Sequence, residues 1–197
     1  STSQLTLTGV NSIGGVADGQ KRESDGSIVT DPNPNTTLTS AATLNGSATG
    51  AIGYLATTLG NVINNGTVAL TGAGSIGAKL VSGGTFTNNG TVNIASGTGI
   101  DASGGGTSVS RAGNITVNDG VAGVRIADGT RLVLNGDDNH ISTGGTAHGV
   151  LLDTGAAGLA MTQTTLNVNG TGHGIENRAE TSNVILQNAT INVKDGY

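Results

Sequence analysis

Three groups of residues have types and spacing that could do chemistry. His148 and His173 stand in the phrases GTAHGV, residues 145–150, and GTGHGI, residues 170–175, which lie 25 residues apart. Imidazole is a ligand for transition metals. If the phrase marks one turn of a winding chain, the two rings share a column on adjacent coils, about 5 Å apart, and could share an ion. Extending the column backwards gives Gly74, Thr98 and Ala122. None of these is a further ligand, and a zinc site takes at least three from the protein. The expectation is a solvated histidine pair in a turn, with no metal and no cofactor.

Asp137 and Asp138, in NGDDNH with His140 close by, form the second group. Carboxylates separated by roughly 5 to 10 Å hydrolyse glycosidic bonds. Cleaving a sugar chain also needs a walled cleft, usually with aromatic platforms, and the chain has one Phe, two Tyr and no Trp. A solvated turn is the expected role, and no residue is assigned as catalytic.

The third group is an array. Asn45, Asn93, Thr116, Ser142, Asn167 and Asn192 each lie one residue after a member of a recurring apolar series, with Asn118, Asn169 and Lys194 two residues beyond three of them. Short hydrogen-bonding groups at a fixed spacing can match an extended polymer, or can simply keep an exposed strand face soluble. Asn93, Asn118, Asp119, Asn167, Asn169, Asn192 and Lys194 are therefore the candidate ligand-binding residues on this face. Lys21 and Arg22, the only adjacent basic residues, are a rival site in a projecting loop. Two charge pairs, Asp101 with Arg125 and Asp153 with Arg178, occupy matching places in successive periods. As cross-strand pairs they would contribute about 0.2 to 1 kcal/mol each.

What positions these residues is a repeat. One apolar series runs Ile52, Ile76, Ile100, Val124, Val150, Ile175, at intervals of 24, 24, 24, 26 and 25. A second runs Leu44, Val68, Val92, Ile115, Ile141, Leu166, Ile191, and a third Leu38, Val62, Phe86, Val109, Leu134, Ala160, Ile185. NNGTV at 64–68 returns at 88–92. A period in the twenties marks a solenoid. Apolar residues also recur two positions after series members, as Leu70, Ile94, Val117, Val168 and Val193 do, and period two makes strands. Three short strands and three turns fill each period, giving a single-stranded, all-β parallel β-helix of about 24 to 25 residues per coil. Right-handedness follows from the chirality of parallel crossovers.

Composition agrees and narrows the partners. Thirty-five Gly, few aromatics and 11% charged residues suit tight turns and aliphatic stacks rather than charge-driven disorder. Net charge is −5, with no basic cluster beyond Lys21 and Arg22, so nucleic acid is not an expected partner. No run approaches the roughly 20 apolar residues of a membrane helix, so direct membrane insertion is not expected either. The absence of Cys suits a chain that crosses an oxidising compartment unfolded. The opening STSQLTLTG has no basic and apolar leader, and any export signal is taken to have been removed. Residues 1–37 read as an irregular first coil or cap with a projecting loop holding both prolines. Residues 38–197 read as the coils proper, stopping in mid-coil as an N-terminal or internal fragment of a longer solenoid would.

The stretches GNVINNGTVALTGAGSIGAKL and GTFTNNGTVNIASGTGIDAS resemble the passenger domains of Gram-negative autotransporters, the pertactin-like or AIDA-like adhesins. The resemblance covers about residue 38 to the end. It implies a secreted or surface-displayed protein, exported across the outer membrane by a C-terminal β-barrel. It also implies binding to a host matrix glycoprotein or glycan, glycosaminoglycan among the candidates. No Gly-Asp-Ser-Gly motif occurs, so the resemblance does not reach the protease subgroup. Two other readings remain: a self-associating structural rod for aggregation or biofilm, and a polysaccharide lyase or glycosidase of the tailspike type.

Overall fold

The recurrence of NNGTV shows how this sequence winds. In a computed structural model describing residues 3–30 and 36–196, each letter of the phrase at 64–68 meets its counterpart at 88–92. Asn64 Nδ2 donates to Asn88 Oδ1 at 2.8 Å inside the wall, and Asn89 Nδ2 donates to Asn65 Oδ1 at 2.9 Å outside it. Thr91 donates to Thr67 at 3.2 Å, and Val92 is paired with Val68. Asn88 passes the chain of bonds on to the Ala112 carbonyl at 2.8 Å. Buried amides are tolerated only when satisfied in this way.

The same stacking repeats along the chain and produces three parallel sheets of eight, seven and seven strands. A strand of the first sheet, one of the second and one of the third follow in order, and every third strand pairs with its predecessor. That makes seven coils and one further strand. Among the described residues there is no helix. The N-terminal stretch already belongs to the winding: Gln4–Leu7 pairs with Thr43–Gly46, Ile13–Asp18 with Ile52–Thr57, and Thr37–Ser40 with Asn61–Asn64. The projecting loop contains a small antiparallel hairpin, Gln20–Arg22 against Ile28–Thr30. The side chains of Lys21, Arg22 and Thr30 lie outside the described part of the structure.

The second apolar series stacks as expected from Leu44 through Val68, Val92, Ile115, Ile141 and Leu166 to Ile191. The other two need correction. In the third sheet the buried column runs Val62, Phe86, Ser110, Leu134, Met161, and register places Val109, Ala160 and Ile185 together in the outward column, Val109 being 38% exposed. A one-residue slip sends every side chain to the other face. At Val109 the inward positions of the strand are Ser108 and Ser110, so the apolar residue between them gave the wrong parity. In the second sheet, Ile76 stacks on Ile52 and Thr98, not on Ile100, which lies over Ala78. The coil between them is shorter by two residues than the sequence interval suggested.

That shift exposes a column the apolar series hid. Gly14, Gly53, Gly77, Gly99, Gly123, Gly149 and Gly174 occupy equivalent places in the second sheet, between paired residues on either side. A Cβ added to one of them would collide with the aliphatic column of the first sheet and, except at Gly174, with the backbone of the next glycine: at Gly123 the obstacles are Ile141 Cγ2 and the Gly149 carbonyl. These glycines are required for space, since their φ angles are not positive. In the strand Ser75–Val81 the buried residues are Ser75 and Gly77, then Ala78 and Leu80, so two consecutive residues point inward and the strand bends.

Candidate functional site

The outward face of the first sheet carries the array. Register places Asn45, Ala69, Asn93, Thr116, Ser142, Asn167 and Asn192 in one column, interrupted only by Ala69. Two residues earlier on each strand is a second outward column of Thr43, Thr67, Thr91, Asn114, His140, Thr165 and Thr190. Neighbours within a column are one strand spacing apart, about 4.8 Å, and the columns about 7 Å apart. Asn192 Nδ2 donates to Asn167 Oδ1 at 2.9 Å. Asn118 and Asn169 are exposed where the sheet turns into the next corner. One open concavity is lined by Thr116, Asn118, Ser142 and Asn169 among others, and another, at the last strand, by Asn169, Asn192 and Lys194 together with Val168, Ile191 and Val193 of the inward columns. Asn169 belongs to both, so the two adjoin and together span the last four strands of the sheet.

Asp119 plays a different part. Its Oδ1 accepts the Thr146 N–H at 3.0 Å and the Thr146 hydroxyl at 3.1 Å. These bonds hold its carboxyl below the usual carboxylate range, the Thr146 amide contributing most. Asp119 fastens the turn of the next coil. Asp138 and His140 form a close pair, Nε2 to Oδ1 2.6 Å, with side chains 79% and 45% exposed, while the Asp137 carbonyl accepts from Arg111. Both side chains stand open to solvent.

The second sheet carries a charged network that the paired-residue reading captured only in part. Arg125 does bond Asp101, Nη1 to Oδ1 at 2.9 Å, but it also reaches the following coil, where Asp153 Oδ2 accepts from Nε at 3.0 Å and from Nη2 at 2.8 Å. Asp153 lies below the usual carboxylate range, first through the Thr154 amide and then through Arg125. The expected Asp153–Arg178 bond is replaced. Arg178 instead holds Glu176, Nε to Oε1 at 2.7 Å and Nη2 to Oε2 at 3.0 Å, and that contact leads the causes that lower the Glu176 pKa.

Glu176 joins the histidines. His148 Nε2 is 2.8 Å from Glu176 Oε2, His173 Nδ1 is 4.0 Å from the same oxygen, and the rings stand edge to face at 5.1 Å. His148 is not a solvated turn residue: it begins a strand, its side chain is 16% exposed, and burial leads the causes that lower its pKa. Its Nδ1 accepts the His173 N–H at 3.0 Å, so the neutral ring carries its proton on Nε2 and donates it to Glu176. The third donor was missed because column reading compares residues one coil apart. Glu176 is three places beyond His173, brought to the same side because Gly174 and Ile175 both point inward, as their counterparts Gly149 and Val150 do. The column member two coils before His148 is Thr98, and the one before that is Ile76, not Gly74.

No protein-family model, no curated protein and no solved structure matches the chain.

Proposed function

We propose that the chain is a surface-displayed adhesive rod that binds an extended polymer, a glycan or a segment of matrix glycoprotein, along the outward face of the first sheet. The observation that supports this most directly is the register of Asn93, Thr116, Ser142, Asn167 and Asn192, which repeats one hydrogen-bonding group per coil beside two adjoining concavities that share Asn169. A repeating face gains affinity by summing many weak contacts, so the number of coils engaged sets the strength. With a net charge of −5, hydrogen bonding rather than charge attraction carries such binding.

The test compares two variants of the chain displayed on a cell, each checked for intact folding. One changes Asn93, Asn118 and Asn167 to Ala; the other removes Lys21 and Arg22. Loss of adhesion to immobilised glycans and matrix proteins in the first alone supports the track, and in the second alone moves the site to the loop. Adhesion unchanged in both overturns both. Clumping of cells without capture of any ligand would instead favour the self-associating rod, and turnover of a polysaccharide the enzyme.

A further inference from the structure

We propose that His148, His173 and Glu176 form a binding site for a divalent transition-metal ion, with zinc the best match to the donor set. Two imidazole nitrogens and one carboxylate oxygen are a set that zinc takes with water in the fourth position. The three donor atoms already lie within 4.8 Å of one another. Around a tetrahedral ion with bonds of about 2.0 to 2.1 Å, ligand atoms are about 3.3 Å apart. The 2.8 Å contact between His148 and Glu176 must therefore open slightly and the 4.0 Å contact with His173 close.

The backbone beneath is fixed, which makes the convergence more than a chance meeting of surface groups. His148 and His173 each precede a glycine of the stacked column, Gly149 and Gly174, and Gly149 N–H donates to the His173 carbonyl at 2.9 Å while Val150 N–H donates to the Gly174 carbonyl at 3.0 Å. Glu176 is aligned by two bonds from Arg178. The donors come from two successive coils, so an ion would tie those coils together. Their side chains are 16%, 37% and 20% exposed, leaving a path from solvent on the His173 side. Arg178 shares Oε2 with the ion and weakens its hold, which argues for a reversible site rather than a permanent structural one.

Binding would leave a signature specific to this geometry. The ion takes the place of the proton on His148 Nε2. That proton moves to Nδ1, and Nδ1 then no longer accepts the His173 N–H. Both hydrogen bonds of the His148 ring, the one accepted from the His173 N–H and the one donated to Glu176, are exchanged for metal bonds, with no net release of protons from neutral imidazole.

The experiment titrates the purified, chelator-treated chain with zinc, with cobalt as a spectroscopic probe of coordination and calcium as a hard-cation control. The expected result is one zinc per chain, no calcium uptake, a rise in Tm, and faster hydrogen exchange at the His173 amide. His173→Ala and Glu176→Gln should each weaken zinc by at least about tenfold, since loss of an outer-shell partner alone costs that much. His140→Ala, on the first sheet, should leave binding unchanged. The proposal is overturned if the wild-type chain takes up no zinc, if His173→Ala and Glu176→Gln bind as the wild type does, or if the His173 amide does not respond.

Discussion

Ser110 lies directly over Phe86 in the third sheet, and its hydroxyl donates to the Phe86 carbonyl at 2.8 Å. The serine is 1% exposed, whereas Val109 beside it faces solvent. Polarity at these two positions is therefore the reverse of what burial normally selects. Replacing Val109 by Asp should shift stability by no more than about 0.5 kcal/mol, as for most surface changes. Ser110→Asp should cost several kcal/mol, because it buries a charge among aliphatic neighbours. Thermal unfolding of the two variants checks this, and a larger shift for Val109→Asp than for Ser110→Asp would mean that the strand faces the other way.

The glycine column gives a second expectation. Gly123→Ala places a Cβ against Ile141 and the Gly149 carbonyl, a backbone obstacle that cannot rotate aside, so the cost should be about 1 to 3 kcal/mol or more. Gly74 has a φ of 67° and nothing within 4 Å of an added Cβ. Gly74→Ala should then lose only the cost of left-handed backbone, about 1 to 2 kcal/mol. Denaturant unfolding at unchanged m-value distinguishes a local clash from a change in the unfolded chain.

Asn88 and Asn89 are adjacent in sequence and opposite in environment. Asn88 is buried, receiving a bond from Asn64 and donating to the Ala112 carbonyl. Asn88→Ala should cost about 1 to 3 kcal/mol, because partners on two coils are left unsatisfied. Asn89→Ala should be nearly silent by the same measurement, since its bonds to Asn65 and Arg111 are exposed.

The charged network makes stability depend on acid. The Asp153 carboxyl titrates lower in the folded chain than its ordinary value of about 3.9, owing to the Thr154 amide and Arg125. A depressed folded pKa means that the unfolded chain binds the proton first. The contribution is complete above the unfolded value and is lost as pH falls below about 4 and through the folded value. Asp153→Asn should flatten the loss of Tm in that window. With a side chain 25% exposed, the effect should be about 1 kcal/mol or less.

The winding itself was legible because Leu44, Val68, Val92 and their successors keep both the period and the period-two alternation, and only one way of stacking buries them all. Parity was lost where burial did not select for apolar residues. Ser110 satisfies its hydroxyl on the backbone one coil away, a partner invisible in sequence. Register was lost at Ala95–Ser96, where a two-residue turn stands in place of the four residues 71–74 of the coil before and resets the phase. The site at Glu176 was illegible for a related reason: a strand that turns two consecutive residues inward brings residues three apart to one face, and strict alternation assigns them to opposite faces. The glycine that begins each inward pair is the signal that could have revealed it.

The hairpin of Gln20–Arg22 and Ile28–Thr30 leaves the first coil after Asp18, and yet Thr37 returns in register with Asn61. An excursion at a corner is thus invisible to the coils above it, since its closure costs little more as it lengthens and the stacking contacts are made by the strands alone. The solenoid is in this sense a mast with interchangeable rigging. Its corners can exchange, lengthen or discard appended segments over evolutionary time, and can accept engineered cargo, while the column from Leu44 to Ile191 keeps the whole upright.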